Sequence, residues 1–86
     1  MNIIVNGGTR GIGKETALFL AKKEDNTVLV TGRNEDALNQ LGSFPTAGRI
    51  ITYQLDISEF DGQETAFAQA VSSMLGTVDV LINSAG

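Results

Sequence analysis

The chain has 86 residues, of which 42% are hydrophobic and 19% are charged, and its formal net charge at pH 7 is −4. This acidic balance, with six basic residues that form no run, argues against nucleic acid or a membrane surface as a partner. The absence of cysteine and histidine excludes disulfides, thiolate or imidazole metal sites and histidine catalysis. Because it has neither a signal-peptide pattern nor the roughly 20 consecutive apolar residues of a membrane span, we expect a cytoplasmic protein.

Apolar strands and helical patterns alternate along the chain. Strands are predicted over 3–6, 27–31, 50–55 and 78–83, and helices over 11–24, from an N-cap at Asn34 to a stop at Gly42, and from a capping box at 58–61 to Gly76. Lys22 and Lys23 are expected in the last turn of the first helix, where positive charge complements the helix dipole. Right-handed crossovers then predict an α/β fold, a doubly wound parallel sheet of the Rossmann type with strand order 3-2-1-4 and helices on both faces.

The segment 6–13, N-G-G-T-R-G-I-G, separates the first strand from the first helix. Gly7, Gly11 and Gly13 give it the spacing G-x-x-x-G-x-G. Glycine allows a sharp turn and lets a charged ligand approach the backbone without meeting a Cβ. The helix that follows directs unpaired N–H groups and its positive dipole end toward such a ligand. The segment therefore predicts a phosphate-binding loop of a dinucleotide-binding unit.

A P-loop is a competing interpretation of nearly the same residues. Gly8 to Lys14 satisfies G-x-x-x-x-G-K, and Asp56 follows the third strand as a magnesium-holding carboxylate would. The next position, however, requires a serine or threonine hydroxyl as a magnesium ligand, and Glu15 occupies it. Phosphoryl transfer is thus the weaker hypothesis.

Four segments of the chain resemble the short-chain dehydrogenase/reductase family. They are 6–13, Gly32-Arg33-Asn34, Leu55-Asp56-Ile57-Ser58 and Val80-Leu81-Ile82-Asn83-Ser84-Ala85-Gly86. The chain departs from the family pattern at two places: Asn6 replaces the threonine of T-G-x-x-x-G-x-G, and Ser84 replaces the second asparagine of N-N-A-G. Both substitutes are small and polar, so the order and spacing of the segments still indicate the family.

Two arginines bear on which dinucleotide is bound. A site that prefers NAD usually carries a carboxylate after the second strand, where this chain has Gly32 and Arg33. Arginine would instead pair with a 2′-phosphate, and Arg10 could approach the same phosphate from the glycine loop. In the family that the chain resembles, basic residues at these two places go with NADP(H), which we therefore expect in preference to NAD(H). The alternative for each arginine is a solvated surface side chain.

The resemblance also implies the remaining cofactor contacts. In the glycine loop they fall on Gly7, Thr9, Arg10, Gly11, Ile12 and Gly13. After the third strand, the Asp56 carboxylate would accept from the adenine amino group beside the Ile57 backbone, although Asp56 could equally be a turn or capping aspartate. At the end of the fourth strand, the backbone would run beside the cofactor ribose at Asn83, Ala85 and Gly86. Asn83 could instead have a purely structural role.

The catalytic residues that the resemblance implies, a serine and a Y-x-x-x-K pair, are not present in the sequence. Tyr53 is the single tyrosine, Ile57 stands four residues after it, and it is predicted to pack on a helix from within the third strand. Residues 1–86 are therefore expected to be the NADP(H)-binding N-terminal half of a Rossmann-type domain, without the catalytic half and inactive alone. In the full-length enzyme, hydride would move to or from a small-molecule carbonyl or alcohol substrate. A non-catalytic dinucleotide-binding module is the alternative.

The fourth predicted strand is apolar and lies at an edge of the sheet. Unpaired N–H and C=O groups on such a strand can pair with another chain. We therefore expect association through this edge and a homo-oligomer.

Overall fold

The structure is a computed structural model that describes residues 1–55, 62 and 64–84. Strands and helices alternate from the first described residues to the last. In chain order they are β1 (Asn2–Asn6), α1 (Gly11–Leu20), β2 (Thr27–Gly32), α2 (Glu35–Gly42), β3 (Arg49–Gln54), α3 (Glu64–Met74) and β4 (Val80–Asn83). No helix in these ranges is long and apolar enough to cross a membrane.

The four strands form one parallel sheet in the order β3-β2-β1-β4, which confirms the predicted fold and strand order. Val5 of β1 aligns with Val30 of β2 and with Ile82 of β4. The two central strands are buried along almost their whole length. A parallel strand covered on both faces has no polar side to present, which explains their nearly continuous apolar sequences.

Helices cover the two faces of the sheet. On one face, α1 and α2 bury an apolar cluster whose members are Ile3, Val5, Ala17, Ala21, Val28, Val30, Leu38 and Leu41. Side chains alternate between the faces of a strand, so Thr31 and its β3 neighbour Tyr53 point to the other face. There the Tyr53 ring contacts Phe67 of α3 at 5.5 Å between centroids, as predicted for a strand aromatic that packs on a helix.

Helix α1 ends earlier than its sequence pattern predicts. Its last residue is Leu20 rather than Glu24, so Lys22 and Lys23 lie beyond the helix and not in its last turn. The carbonyls that would continue the helix have other partners: the Asn26 side-chain amide donates to Leu20 O at 2.9 Å, and Gly48 N donates to Ala21 O at 2.8 Å. Asn26 is only six residues from Leu20, but Gly48 comes from a distant part of the chain, so the local pattern could not indicate its contact.

The ends of the other helices agree more closely with the sequence. The Asn34 side chain accepts a hydrogen bond from Ala37 N at 3.0 Å, which confirms the predicted N-cap of α2. Gly42 is the last residue of α2 instead of lying just beyond it. Gly76 follows α3 with a φ of 76° and donates to Ser72 O at 3.2 Å, an αL ending as predicted. The capping box predicted over 58–61 lies outside the described residues.

Candidate functional site

The first half of the glycine loop is attached to β2. Gly7 has a φ of 76°, and the N–H groups of Gly7 and Gly8 both donate to Thr31 O, at 3.0 and 3.1 Å. The Thr31 hydroxyl donates to Asn6 Oδ1 at 2.9 Å, and both of these side chains are buried. The loop therefore leaves β1 by turning toward β2, at the carboxyl ends of the central strands.

Glycine at position 13 allows helix α1 to start close above the loop and the end of β4. A Cβ there would lie 2.5 Å from Gly7 O and 2.7 Å from Ser84 Oγ, much nearer than an ordinary contact. Ser84 N in turn donates to Asn6 O at 3.0 Å. Within the described part of the chain the Ser84 hydroxyl is buried without a hydrogen-bond partner. Glycine loop, β1 and β4 thus meet at Gly13.

The amino end of α1 faces open space. Gly11 has a φ of 62°, which favours glycine, and a Cβ built on it has no atom within 4 Å. The first hydrogen bond of the helix runs from Lys14 N to Arg10 O, so the N–H groups of residues 11–13 precede it. Among the residues that the structure describes, none of these three has a backbone acceptor. Three free donors at a positive dipole end fit the pyrophosphate of a dinucleotide.

A cleft of about 480 Å³ opens beside this helix end. It is lined by Thr9, Arg10, Arg33, Asn34 and Ala37. Both arginines are exposed, and across residues 1–55, 62 and 64–84 neither guanidinium has a hydrogen bond or ion pair. Among the described residues that line the cleft there is no carboxylate: neither Glu35 nor Asp36 belongs to the lining, and Asp56 lies outside the described residues. Two positive charges that line the cleft and have no partner among the described residues make it suited to an anion.

The other predicted site residues lie at the ends of β3 and β4. Asn83 is exposed, aligns with Asn6 and does not line the cleft. Leu55, the last described residue after β3, donates from its N–H to Gly32 O at 2.9 Å. Asp56, Ile57, Ala85 and Gly86 lie outside the described residues, so the contacts expected of them stay predictions. The exposed side chain of Ile12 likewise stands at the helix end and not in the lining.

Several residues contribute to this site in ways that the sequence did not indicate. Thr31 holds the loop through its carbonyl oxygen, and Asn34 and Ala37 line the cleft. Gly32 leaves room for Thr9, because a Cβ at position 32 would lie 2.5 Å from Thr9 Cγ2. The sequence marks Asn34 as a helix cap and as part of a family segment, but not as a residue that lines the cleft. The strand register that brings Thr31 beside Asn6 is a property of the folded sheet, and no local motif marks it.

The fold and the loop define a class of protein. A parallel sheet of order 3-2-1-4 whose first strand leads through a glycine loop into a helix is a Rossmann-type nucleotide-binding domain. The family model for short chain dehydrogenases matches residues 1–86. The chain therefore belongs to this family of oxidoreductases, as its sequence motifs indicated.

Known relatives extend well beyond the length of this chain. It is 28% identical to the short chain dehydrogenase gsfK of Penicillium aethiopicum, over 98% of the chain and 34% of the relative. The L-sorbose reductase of Gluconobacter frateurii, solved with NADPH and L-sorbose, superimposes with a TM-score of 0.84 at 26% identity, over 99% of this chain and 33% of that one. The 3-oxoacyl-[acyl-carrier protein] reductase of Brucella melitensis, solved with NAD, gives a TM-score of 0.79 at 29% identity, over 99% and 33%. The chain thus spans about a third of the length of each of these proteins.

Proposed function

We propose that residues 1–86 bind NADP(H) in a short-chain dehydrogenase that moves hydride to or from a small-molecule carbonyl or alcohol. The observation that carries this proposal is the placement of Arg10 and Arg33 on one cleft, with no carboxylate among the described residues that line it. The chain contains no Y-x-x-x-K sequence, so its part in the reaction is to bind and orient the cofactor. The cofactor, when bound, would supply the hydride to a carbonyl or accept it from an alcohol.

The glycine loop would hold the pyrophosphate. The N–H groups of residues 11–13 are free to donate, and the open space at Gly11 lets phosphate oxygens come close to the backbone. The N–H groups of Gly7 and Gly8 already donate to Thr31 O and are not available. Binding of the pyrophosphate therefore depends on the second half of the loop.

The two arginines would distinguish NADP(H) from NAD(H). A guanidinium presents several donors in a fixed fork that matches phosphate geometry, and within the described residues neither group has another partner to leave first. Hydrogen bonds to charged groups contribute roughly 1.5–3 kcal/mol each, and solvent exposure here favours the lower figure. One such bond corresponds to a preference of about tenfold for the phosphorylated cofactor. The family neighbours include complexes with NADPH and with NAD, so the preference has to be measured on this chain.

A pair of charge-reversing variants tests the assignment. Arg33→Asp places a carboxylate at the mouth of the cleft, and its NADPH affinity should fall by about tenfold or more while NADH affinity is kept or improved. Arg49→Asp is the matched control: it makes the same charge change at an exposed position at the amino end of β3, away from the cleft. Isothermal titration of both variants gives the result. Equal loss of NADPH affinity in the two variants would mean that only net charge matters, and the assignment would fail.

A further inference from the structure

Thr31 is a buried polar residue that contacts the end of β1 and the glycine loop through both its backbone carbonyl and its side-chain hydroxyl. Its side chain is 1% exposed. Its carbonyl oxygen accepts from both Gly7 N and Gly8 N, at 3.0 and 3.1 Å. Its hydroxyl donates to Asn6 Oδ1 at 2.9 Å and stands 3.4 Å from Gly7 N. One residue of β2 thus engages three consecutive residues at the end of β1 and the start of the loop.

The Thr31 hydroxyl is the donor that holds the Asn6 side chain in place. Asn6 and Thr31 are aligned across β1 and β2, and Asn6 is 8% exposed, so its amide oxygen has little access to water. Removing the hydroxyl would leave that oxygen without its donor in a buried place, which costs more than the net value of the bond. The χ1 angle of a β-branched threonine is restricted and β2 is paired on both sides, so the Asn6–Thr31 hydrogen bond also bears on where Gly7 and Gly8 lie relative to β2.

The same strand end leads to Arg33, which lines the cleft together with Arg10 of the loop. Arg33 follows Thr31 by two residues, and Gly32 between them leaves room for Thr9 of the loop. The position of Thr31 therefore fixes the loop, with Arg10 and the free N–H groups, against Arg33. Asn6 is also one of the two places where the chain departs from the usual family motif, which has threonine there. The structure shows what the longer amide side chain contacts: the hydroxyl on the neighbouring strand.

We propose that the Asn6–Thr31 hydrogen bond positions the glycine loop against Arg33 and thereby sets the affinity for the phosphate groups of the dinucleotide. Thr31 is then a positioning residue that acts through the loop without touching the ligand. This inference rests on the proposed binding of NADP(H). It adds a residue pair, located below the cleft, that controls that binding.

Three variants of the 86-residue chain test this role. Thr31→Val removes the hydroxyl at constant shape and should weaken NADPH binding by about fivefold, the value of one net hydrogen bond. Thr31→Ser keeps the hydroxyl and should restore affinity to within about twofold of wild type. Thr27→Val makes the same change at the opposite end of β2 and should also stay within about twofold. Affinities are compared at a temperature where all three are folded to the same extent.

Amide hydrogen exchange provides a readout that needs no ligand. In Thr31→Val the N–H groups of Gly7 and Gly8 should exchange faster by a similar factor, with no such change in Thr27→Val. In an Asn6→Ala background, Thr31→Val should have little further effect on either measurement, because the two residues act as a pair.

The outcomes separate this inference from the function on which it rests. If wild type binds NADPH and Thr31→Val behaves like Thr27→Val, the positioning role is refuted and the cofactor assignment stands. Failure of Thr31→Ser to restore affinity refutes the role of the hydroxyl. A wild-type chain that binds neither NADPH nor NADH refutes both proposals.

Discussion

Replacing Gly13 with alanine should destabilise the chain and disturb the loop at the same time. The added Cβ would lie 2.5 Å from Gly7 O, 2.7 Å from Ser84 Oγ and 3.2 Å from Gly8 Cα. Gly7 O cannot move away easily, because it shares a planar peptide unit with the N–H of Gly8, which donates to Thr31 O at 3.1 Å. An overpacking penalty of roughly 3 kcal/mol, less about 1 kcal/mol for the better helix propensity of alanine, leaves a loss of about 2 kcal/mol. For a chain of this size the melting temperature should fall by about 10 °C.

Gly42→Ala is the matched control for this substitution. Gly42 also lies in a helix, but a Cβ there would make an ordinary contact of 3.5 Å with Thr52 Cγ2. This variant should be neutral or up to about 1 kcal/mol more stable. Thermal and urea unfolding followed by circular dichroism compare the two variants with wild type. A Gly13→Ala chain as stable as Gly42→Ala would refute the close packing of the loop, α1 and β4 on which the description of the site depends.

Three further predictions concern other parts of the chain. Gly48→Ala should lower the free energy of unfolding by about 2 kcal/mol, because its Cβ would lie 2.4, 2.6 and 2.9 Å from three backbone carbonyl oxygens; unchanged urea unfolding would contradict this. Asn34→Ala removes the acceptor of the α2 N-cap and should cost about 1 kcal/mol in the same assay, whereas no measurable loss would mean that the cap is dispensable. Leu81, 62% exposed on edge strand β4, should promote association, so Leu81→Lys should lower the weight-average mass in sedimentation more than Phe19→Lys, which removes a similarly exposed apolar side chain from α1; equal effects would refute association through the edge.

The sequence was sufficient to predict the architecture because the signals for it are local. Continuous apolar runs such as Ile3–Val5 mark strands buried on both faces, and the handedness of crossovers then leaves one strand order. The α2 cap at Asn34 is likewise determined by neighbouring residues. By contrast, the early end of α1 depends in part on Gly48, whose N–H meets the Ala21 carbonyl only in the folded chain.

The candidate site likewise has features that the local sequence predicts and features that depend on the folded sheet. The glycine spacing predicted a turn at the amino end of α1, and the structure places it there with positive φ at Gly7 and Gly11. That Arg10 and Arg33 line one cleft could be proposed from their positions after β1 and β2. The role of Thr31 in holding the loop could not be proposed from the sequence, because it depends on the register of β1 against β2 and on the departure from the family motif at Asn6. Binding itself stays a prediction for every residue of the site.

Titration of the wild-type chain with NADPH and NADH in parallel tests the central claim most directly. Two guanidinium groups that line one cleft and have no partner among the described residues predict that NADPH binds tighter by about tenfold or more at low ionic strength. The difference should shrink as salt is added, because both arginines are exposed to solvent. Equal dissociation constants for the two cofactors, or tighter binding of NADH, would contradict the assignment of this cleft to a 2′-phosphate.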